Sequence, residues 1–414
     1  MASADRVVII GSGHAGVSVA AGLRTRGFSG RIVLVDGEPG LPYERPPLSK
    51  ELLKPGAPDG ATPLRKESYF EGKDIERIAG ATAVSIDRAR GMVALSDGRE
   101  VGYSRLVLAT GSRPRLLSVP GADLPGLFTL KTFEDGRALK QVLAPGARVV
   151  IVGAGYIGLE VAAAAAKLGC DTTILEFQDR IMSRVTSEPV SRFFEQVHRA
   201  NGVRISFGTA VTALGGDGRV EFVATADGTR YPADVVVAGI GVVPNQDLAE
   251  AAGLECSDGV LVDDAGRTSA EGIYAAGDAT RFASLFDGAS QRLECIQNAQ
   301  SQADRIAADI TGQEPGEPGV PWFWTVQHGV RLQTAGVRHP DDETVVRGEP
   351  ATGRFSVVYL RDGRISAVDT IGGLSDFNPG KRLVAERATL DAALVADPGT
   401  PLADSAVPAL APSR

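Results

Sequence analysis

The sequence predicts an α/β chain of two Rossmann-like dinucleotide-binding domains followed by a small α+β C-terminal domain. Three observations predict it. The run G-x-G-x-x-G occurs twice, at Gly11, Gly13 and Gly16 and again at Gly153, Gly155 and Gly158, each time after a short β-branched stretch and before an Ala/Val/Leu-rich one. In each copy the next apolar stretch ends on an acid, Asp36 at 20 positions after Gly16 and Glu176 at 18 positions after Gly158. From about Trp322 the pattern changes to alternating short strands such as RFSVVYL and RISAVDTIGG.

Arg6 to Ile10 has the composition of a strand buried on both faces. Gly11 permits the tight turn, Gly13 lets the backbone approach a pyrophosphate, and Gly16 lets the following helix pack on the strand. The start of that helix offers N–H groups and a positive dipole end to phosphates. Asp36 can accept hydrogen bonds from a ribose. Residues 52–70, rich in Pro and Gly, are expected to form a surface excursion with a short helix at its end. Strands are expected over Ile75–Ile86 and Met92–Leu95, and another runs from Tyr103 into the small-residue turn Ala109-Thr110-Gly111. Arg113-Pro114 and Val119-Pro120-Gly121 mark a linker. At Arg148 the first unit repeats, and its strands over 203–207, 219–225 and 234–239 close on Gly239-Ile240-Gly241, an echo of the earlier turn. A strand over 272–276 then leads to Gly277 and Asp278, a helix is expected over 293–310, and a last helix near 381–390. These features divide the chain into a discontinuous first domain (1–113 and 242–320), a second (114–241), a third (321–396) and a flexible tail (397–414).

The 414 residues are too many for one core. A net charge of −8 argues against a nucleic-acid binder. Cys170, Cys256 and Cys295 are far apart with no C-x-x-C pair, so neither a metal site nor a dithiol centre is expected. Five residues precede the first strand, too few for a signal peptide, and no apolar run approaches a membrane span. A cytoplasmic, soluble protein is predicted, with no membrane partner.

The chain resembles the FAD-dependent, NADH-utilising ferredoxin reductases of the putidaredoxin reductase and aromatic dioxygenase reductase type. The residues that carry the resemblance are Pro42-Tyr43-Glu44-Arg45-Pro46-Pro47-Leu48-Ser49-Lys50, Ala109-Thr110-Gly111, Tyr274 to Asp278, Arg292-Leu293-Glu294 with Asn298-Ala299, and Pro321-Trp322-Phe323-Trp324. The related glutathione reductase fold group shares the layout, but its disulfide members need a cysteine pair and a catalytic His that are absent here.

The resemblance implies FAD on the first fingerprint, with Gly11, Gly13, His14, Ala15, Gly16, Asp36, Gly37 and Ala83 along its ADP half. It implies Arg45, Lys131, Ala109, Thr110, Gly111, Gly277 and Asp278 elsewhere on FAD, and Ile296 at a helix start aimed at the flavin. It implies NADH on Gly153, Gly155, Tyr156, Ile157, Gly158, Glu176 and Gly241. Lys50 and Glu160 form a pair beside the nicotinamide, and Trp324 lies close to the isoalloxazine; these three are the expected catalytic residues. A carboxylate at Glu176 accepts from both ribose hydroxyls and repels a 2′-phosphate, so NADH is favoured over NADPH, with Arg180 and Arg184 the nearest cations. The run Thr325 to Gly329 is expected near the partner surface, with His328 a surface residue rather than a catalytic base. The implied activity is transfer of a hydride from NADH and of single electrons to a [2Fe–2S] ferredoxin, docked transiently by a local basic patch and serving a cytochrome P450 or a ring-hydroxylating oxygenase. An NADH oxidase or rubredoxin reductase on the same scaffold, or a redox-sensing interaction protein, stays open.

Overall fold

In the computed structural model, which describes residues 5–58, 60–284, 288–373 and 375–407, the β-branched run Arg6–Ile10 forms β1. It is followed by α1 (His14–Thr25), β2 (Arg31–Asp36), β3 (Ile75–Ala79) and β4 (Arg105–Leu108). The chain later returns with the strand Ile273–Ala275, giving a sheet in the order Ile273–Ala275, β4, β1, β2, β3. Every pairing in it is parallel. Alternate residues of β1 enter separate cores, Val7 and Ile9 on one face and Val8 and Ile10 on the other. Both faces are therefore covered, which is why the strand reads as an unbroken apolar run. α1 lies against the helix Ile296–Thr311, and Gly22 makes the approach possible, since a Cβ there would stand 3.0 Å from that of Ala307.

A second unit repeats this plan. It contains β5 (Leu127–Phe128), β6 (Arg148–Val152), α2 (Tyr156–Lys167), β7 (Asp171–Leu175), α3 (Glu188–Ala200), β8 (Arg204–Ser206) and β9 (Val235–Ala238). The strand order is β8, β7, β6, β9, β5, again parallel. Val149 and Ile151 of β6 face one core, Val150 and Val152 the other.

The C-terminal part forms an antiparallel sheet of β10 (Trp322–Gln327), β11 (Val330–Gly336), β12 (Glu343–Glu349), β13 (Arg354–Arg361) and β14 (Arg364–Ile371), ordered β10, β11, β14, β13, β12, with α4 (Phe377–Glu386) after it. The turn between β10 and β11 is His328-Gly329, both at positive φ (48° and 82°), a two-residue hairpin connection of the favoured kind.

Two compact units result: Met1–Glu44 with Gly60–Arg113 and Val242–Gly319, and Arg45–Asp59 with Pro114–Gly241 and Val320–Arg414. Residues 321–396, expected as a small third domain, pack onto the second unit through one core: Leu332, Phe355, Val357 and Tyr359 join Val149, Ile151 and Phe194 in one cluster. Residues 45–59, expected with the first unit, group with the second because Leu53 enters that same core and Lys140 Nζ donates to the Ala57 carbonyl at 3.0 Å. The expected loose tail is also corrected up to Val407. Arg347, itself buried, donates to the carbonyls of Val395, Asp397 and Thr400. Leu402 and Ser405 are buried, and Leu390 bridges Ala406. Residues 408–414 lie outside the described residues. Among the described residues no helix is long and apolar enough to cross a membrane.

Candidate active site

The first glycine turn joins β1 to α1. Gly11 has φ +103°, and a Cβ on it would overlap the carbonyl of Ala109; a Cβ on Gly16 would overlap the carbonyl of Gly11. Only glycine fits at either place. At Gly13 a Cβ would meet nothing within 4 Å, so the space beside this backbone is open. Gly13 caps α1 without a side-chain hydrogen bond, and the first helical bond runs from Val17 N to the Gly13 carbonyl. The N–H groups of His14, Ala15 and Gly16 therefore precede any acceptor the helix can offer them. Open space, free donors and the positive end of a helix dipole form a cradle that fits a pyrophosphate.

The rest of the first site surrounds this turn. Ser12 Oγ donates to Asp36 Oδ2, and Glu38 N donates to Oδ1 at 3.1 Å. Ala81 N donates to the Asp36 carbonyl, which brings the next loop up to Gly37, and Ala83 opens the adjacent hairpin opposite Leu95. His14 Nε2 lies 2.9 Å from Glu44. Ala109 N donates to the Ile10 carbonyl. Asn245 holds the Ala109-Thr110-Gly111 turn from the far end of the same unit: its Nδ2 donates to the Thr110 carbonyl at 2.9 Å, Thr110 Oγ1 returns a bond to the Asn245 carbonyl at 2.7 Å, and Asn245 N donates to the Gly111 carbonyl. Sequence reading missed Asn245, since nothing in its neighbours signals a turn more than a hundred residues away. Gly277, at φ +80°, donates its N–H to Gln302 Oε1, and Asp278 accepts from Ser112 Oγ at 3.0 Å. Ile296 is the first residue of its helix, as expected.

The second turn follows the same rules. Gly153 has φ +97° and abuts the Gly239 carbonyl, and a Cβ on Gly158 would overlap the Gly153 carbonyl. Gly155 caps α2 without a side-chain bond and leaves open space, its nearest neighbour for a Cβ being 3.9 Å away. Glu176 spends one oxygen on Ala154 N (2.6 Å) and the other on Gln178 N (2.8 Å), which orients the carboxylate at the strand end. Ile157 is exposed, Phe177 more so, and Gly241 has φ +100°. Tyr156 stacks against Phe323 at 4.4 Å, and burial raises its hydroxyl pKa. Arg180 is used internally, donating to Thr186 O, Ser191 Oγ and Ser183 O. A second dinucleotide fits this cradle on the same grounds as the first.

Lys50 and Glu160 meet. Lys50 Nζ is 2.7 Å from Glu160 Oε2, and Glu160 is buried on α2, two residues past Gly158. The short 3-10 turn Pro46–Ser49 delivers Lys50, and its Ser49 Oγ also donates to Oε2 at 2.5 Å. Thr325 Oγ1 donates to Oε1 at 2.6 Å. Three donors from two distant parts of the chain thus fix one carboxylate. Desolvation of such a charge is costly unless it is paired and hydrogen-bonded, and here it is both. Sequence reading found the pair but not Ser49 or Thr325.

One expectation changes. Thr325 and Gln327, placed near a partner surface by the sequence, are fully buried. His328 is half-buried, with Nε2 at 3.1 Å from His198 Nδ1. Trp324, by strand alternation, lies on the opposite face of β10 from Thr325 and packs on Trp322 at 5.4 Å. Arg45 Nη1 donates to the Lys131 carbonyl at 2.6 Å, and Lys131 N donates to Asp135 at the start of the helix Phe133–Val142. Among the described residues no cluster of three or more His, Cys, Asp or Glu could hold a metal ion.

Residues 5–303 match the family described as pyridine nucleotide-disulphide oxidoreductase, and residues 322–406 the one described as reductase C-terminal. The chain is 43% identical over 405 residues to a ferredoxin--NAD(P)(+) reductase of Sphingomonas sp., covering 97% of this chain and 98% of that protein. It is 41% identical over 404 residues to putidaredoxin reductase CamA of Pseudomonas putida, covering 96% of each. The solved covalent putidaredoxin reductase–putidaredoxin complex superposes with a TM-score of 0.93 at 40% identity, covering 96% of this chain and 97% of that one. With two intact dinucleotide cradles, a reductase C-terminal region and likeness over nearly its full length, the chain belongs to the ferredoxin reductases of the pyridine nucleotide-disulphide oxidoreductase family.

Proposed function

We propose that the protein is an NADH:ferredoxin reductase holding FAD, which feeds a [2Fe–2S] ferredoxin in the cytoplasm that serves a cytochrome P450 or a ring-hydroxylating oxygenase. The observation that carries this reading is the Lys50–Glu160 pair beside the second glycine turn, whose carboxylate is buried and whose Oε1 has capacity for a further donor. FAD supplies the conversion between two-electron and one-electron transfer when bound. The chain's own residues bind and orient. The α1 turn, Asp36 and Asp278 hold FAD; the α2 turn holds the pyrophosphate of NADH. Glu176 accepts from the adenosine ribose, and with Arg180 occupied internally that cation cannot receive a 2′-phosphate. Glu160 orients the nicotinamide carboxamide while Lys50 balances its charge. No general base is required, in keeping with four histidines in the whole chain. The ferredoxin docks transiently through a local basic patch on a protein of net charge −8.

Flavin reduction is tested anaerobically and acceptor turnover in air. The purified yellow protein should bleach with NADH and far more slowly with NADPH, and cytochrome c reduction should depend on added ferredoxin. A colourless protein that FAD does not reconstitute sinks the reading. Turnover with dioxygen alone, unchanged by ferredoxin, favours an NADH oxidase instead.

A further inference from the structure

Glu160 is the end of a longer line. Thr325 Oγ1 donates its single proton to Glu160 Oε1, so its lone pairs must accept, and Gln327 Nε2 donates to it at 3.3 Å. That orientation turns Gln327 Oε1 toward His198 Nε2, 2.9 Å away. Nε2 of His198 must then carry the proton, so its Nδ1 is the acceptor for His328 Nε2 at 3.1 Å. Every hydroxyl, amide and ring in the line is set by the carboxylate at one end, and all donate toward it. The members come from α3, β10, the β10–β11 turn and α2, all within one compact unit.

Glu160, Thr325, Gln327 and His198 are all buried. Apolar side chains would fill this core without the desolvation that a buried amide and imidazole impose. Burial pushes His198 down to about 4, so at neutral pH it is the neutral single donor that the line needs. Among the described residues Oε1 receives one hydrogen bond, from Thr325, while Oε2 receives Lys50 and Ser49. Oε1 is therefore the oxygen with capacity left for a substrate N–H.

We propose that Gln327 and His198 are positioning residues for nicotinamide recognition: through Thr325 they hold Glu160 so that Oε1 presents a lone pair to the carboxamide of NAD(H). This rests on the reading of the second cradle as the NADH site. The line does nothing for the adenosine and pyrophosphate half, which the α2 turn and Glu176 hold by themselves.

The experiment measures binding to the FAD-loaded protein, without turnover. NAD+ and ADP-ribose, which lacks the nicotinamide, are titrated into wild type, Gln327→Leu and His198→Phe, and into Thr325→Val and Thr325→Ser. Gln327→Leu and His198→Phe should weaken NAD+ by about three- to tenfold, the range for one lost hydrogen bond, and leave ADP-ribose unchanged. Thr325→Ser should retain NAD+ affinity that Thr325→Val loses. In 15N-labelled wild type the His198 ring should be the Nε2–H tautomer, its signal shifting with NAD+ but not with ADP-ribose. Unchanged NAD+ affinity in Gln327→Leu overturns the proposal, as does equal loss of NAD+ and ADP-ribose, which marks a purely structural role. Gln327→Leu conserves volume and carries the test alone if His198→Phe does not fold. A wild type that binds neither ligand would instead strike down the NADH site itself.

Discussion

At the scale of single residues, two side chains carry the strongest expectations. Lys50→Ala leaves Glu160 buried without its cation. Stability should fall by about 3 kcal/mol, the cost of breaking such a pair, and NADH should reduce the flavin more slowly; stopped-flow traces matching wild type would remove Lys50 from the mechanism. Glu176→Ala should narrow the gap between NADH and NADPH, because the carboxylate that repels a 2′-phosphate is gone. It should also weaken NADH itself, since Ala154 N and Gln178 N lose the acceptor that shapes the turn. Comparing kcat/KM for the two nucleotides decides this. Glu176 was picked out by its position after the second glycine turn, and Lys50 by the resemblance that residues 42–50 carry. Ser49, Thr325 and Gln327 were not, because what makes them matter is a carboxylate more than a hundred residues away in the chain.

At the scale of elements, the glycine turns were the legible part. Strand, turn, helix and acid-tipped strand follow one another within 31 residues, and backbone sterics force the residue types. The hairpin β10–β11 was harder. Its alternation was visible, but which face would be covered depends on α3 and α2, and the sequence does not say which helix arrives. The outcome, a buried imidazole on α3, has a consequence for acid stability. His198 is held at about 4 in the folded protein against 6.5 when free. The stability that goes with the neutral ring is complete above pH 6.5 and is lost as pH falls toward 4, by on the order of 3 kcal/mol in full. Thermal melts between pH 7 and 4.5 should drop steeply, and His198→Gln should flatten the slope. An identical slope in the variant would place the acid-sensitive group elsewhere.

At the scale of the whole molecule, the parallel sheets were foreseen and the allegiance of residues 45–59 was not. Composition marks 52–70 as a surface excursion, yet Leu53 is 1% exposed and residues 45–59 group with the second unit. The C-terminal stretch misled for a related reason. Asp397 to Val407 has few large residues, and its order comes from Arg347, whose guanidinium gathers three carbonyls and pairs with Asp376 at 3.1 Å. Arg347→Ala should free that stretch. Limited proteolysis should then cut near residue 397 in the variant and spare the wild type; equal resistance would show that Leu402 and Ser405 suffice.

The allegiance of residues 45–59 bears on anyone building chimeras to change nucleotide preference. Cutting at 114 and 241 looks natural on a sequence diagram, but the graft would leave the recipient's lysine facing a donor's glutamate, along with a mismatched serine. A transplant that keeps electron input working must move the short proline-rich stretch and the antiparallel C-terminal sheet together with the glycine turn they serve.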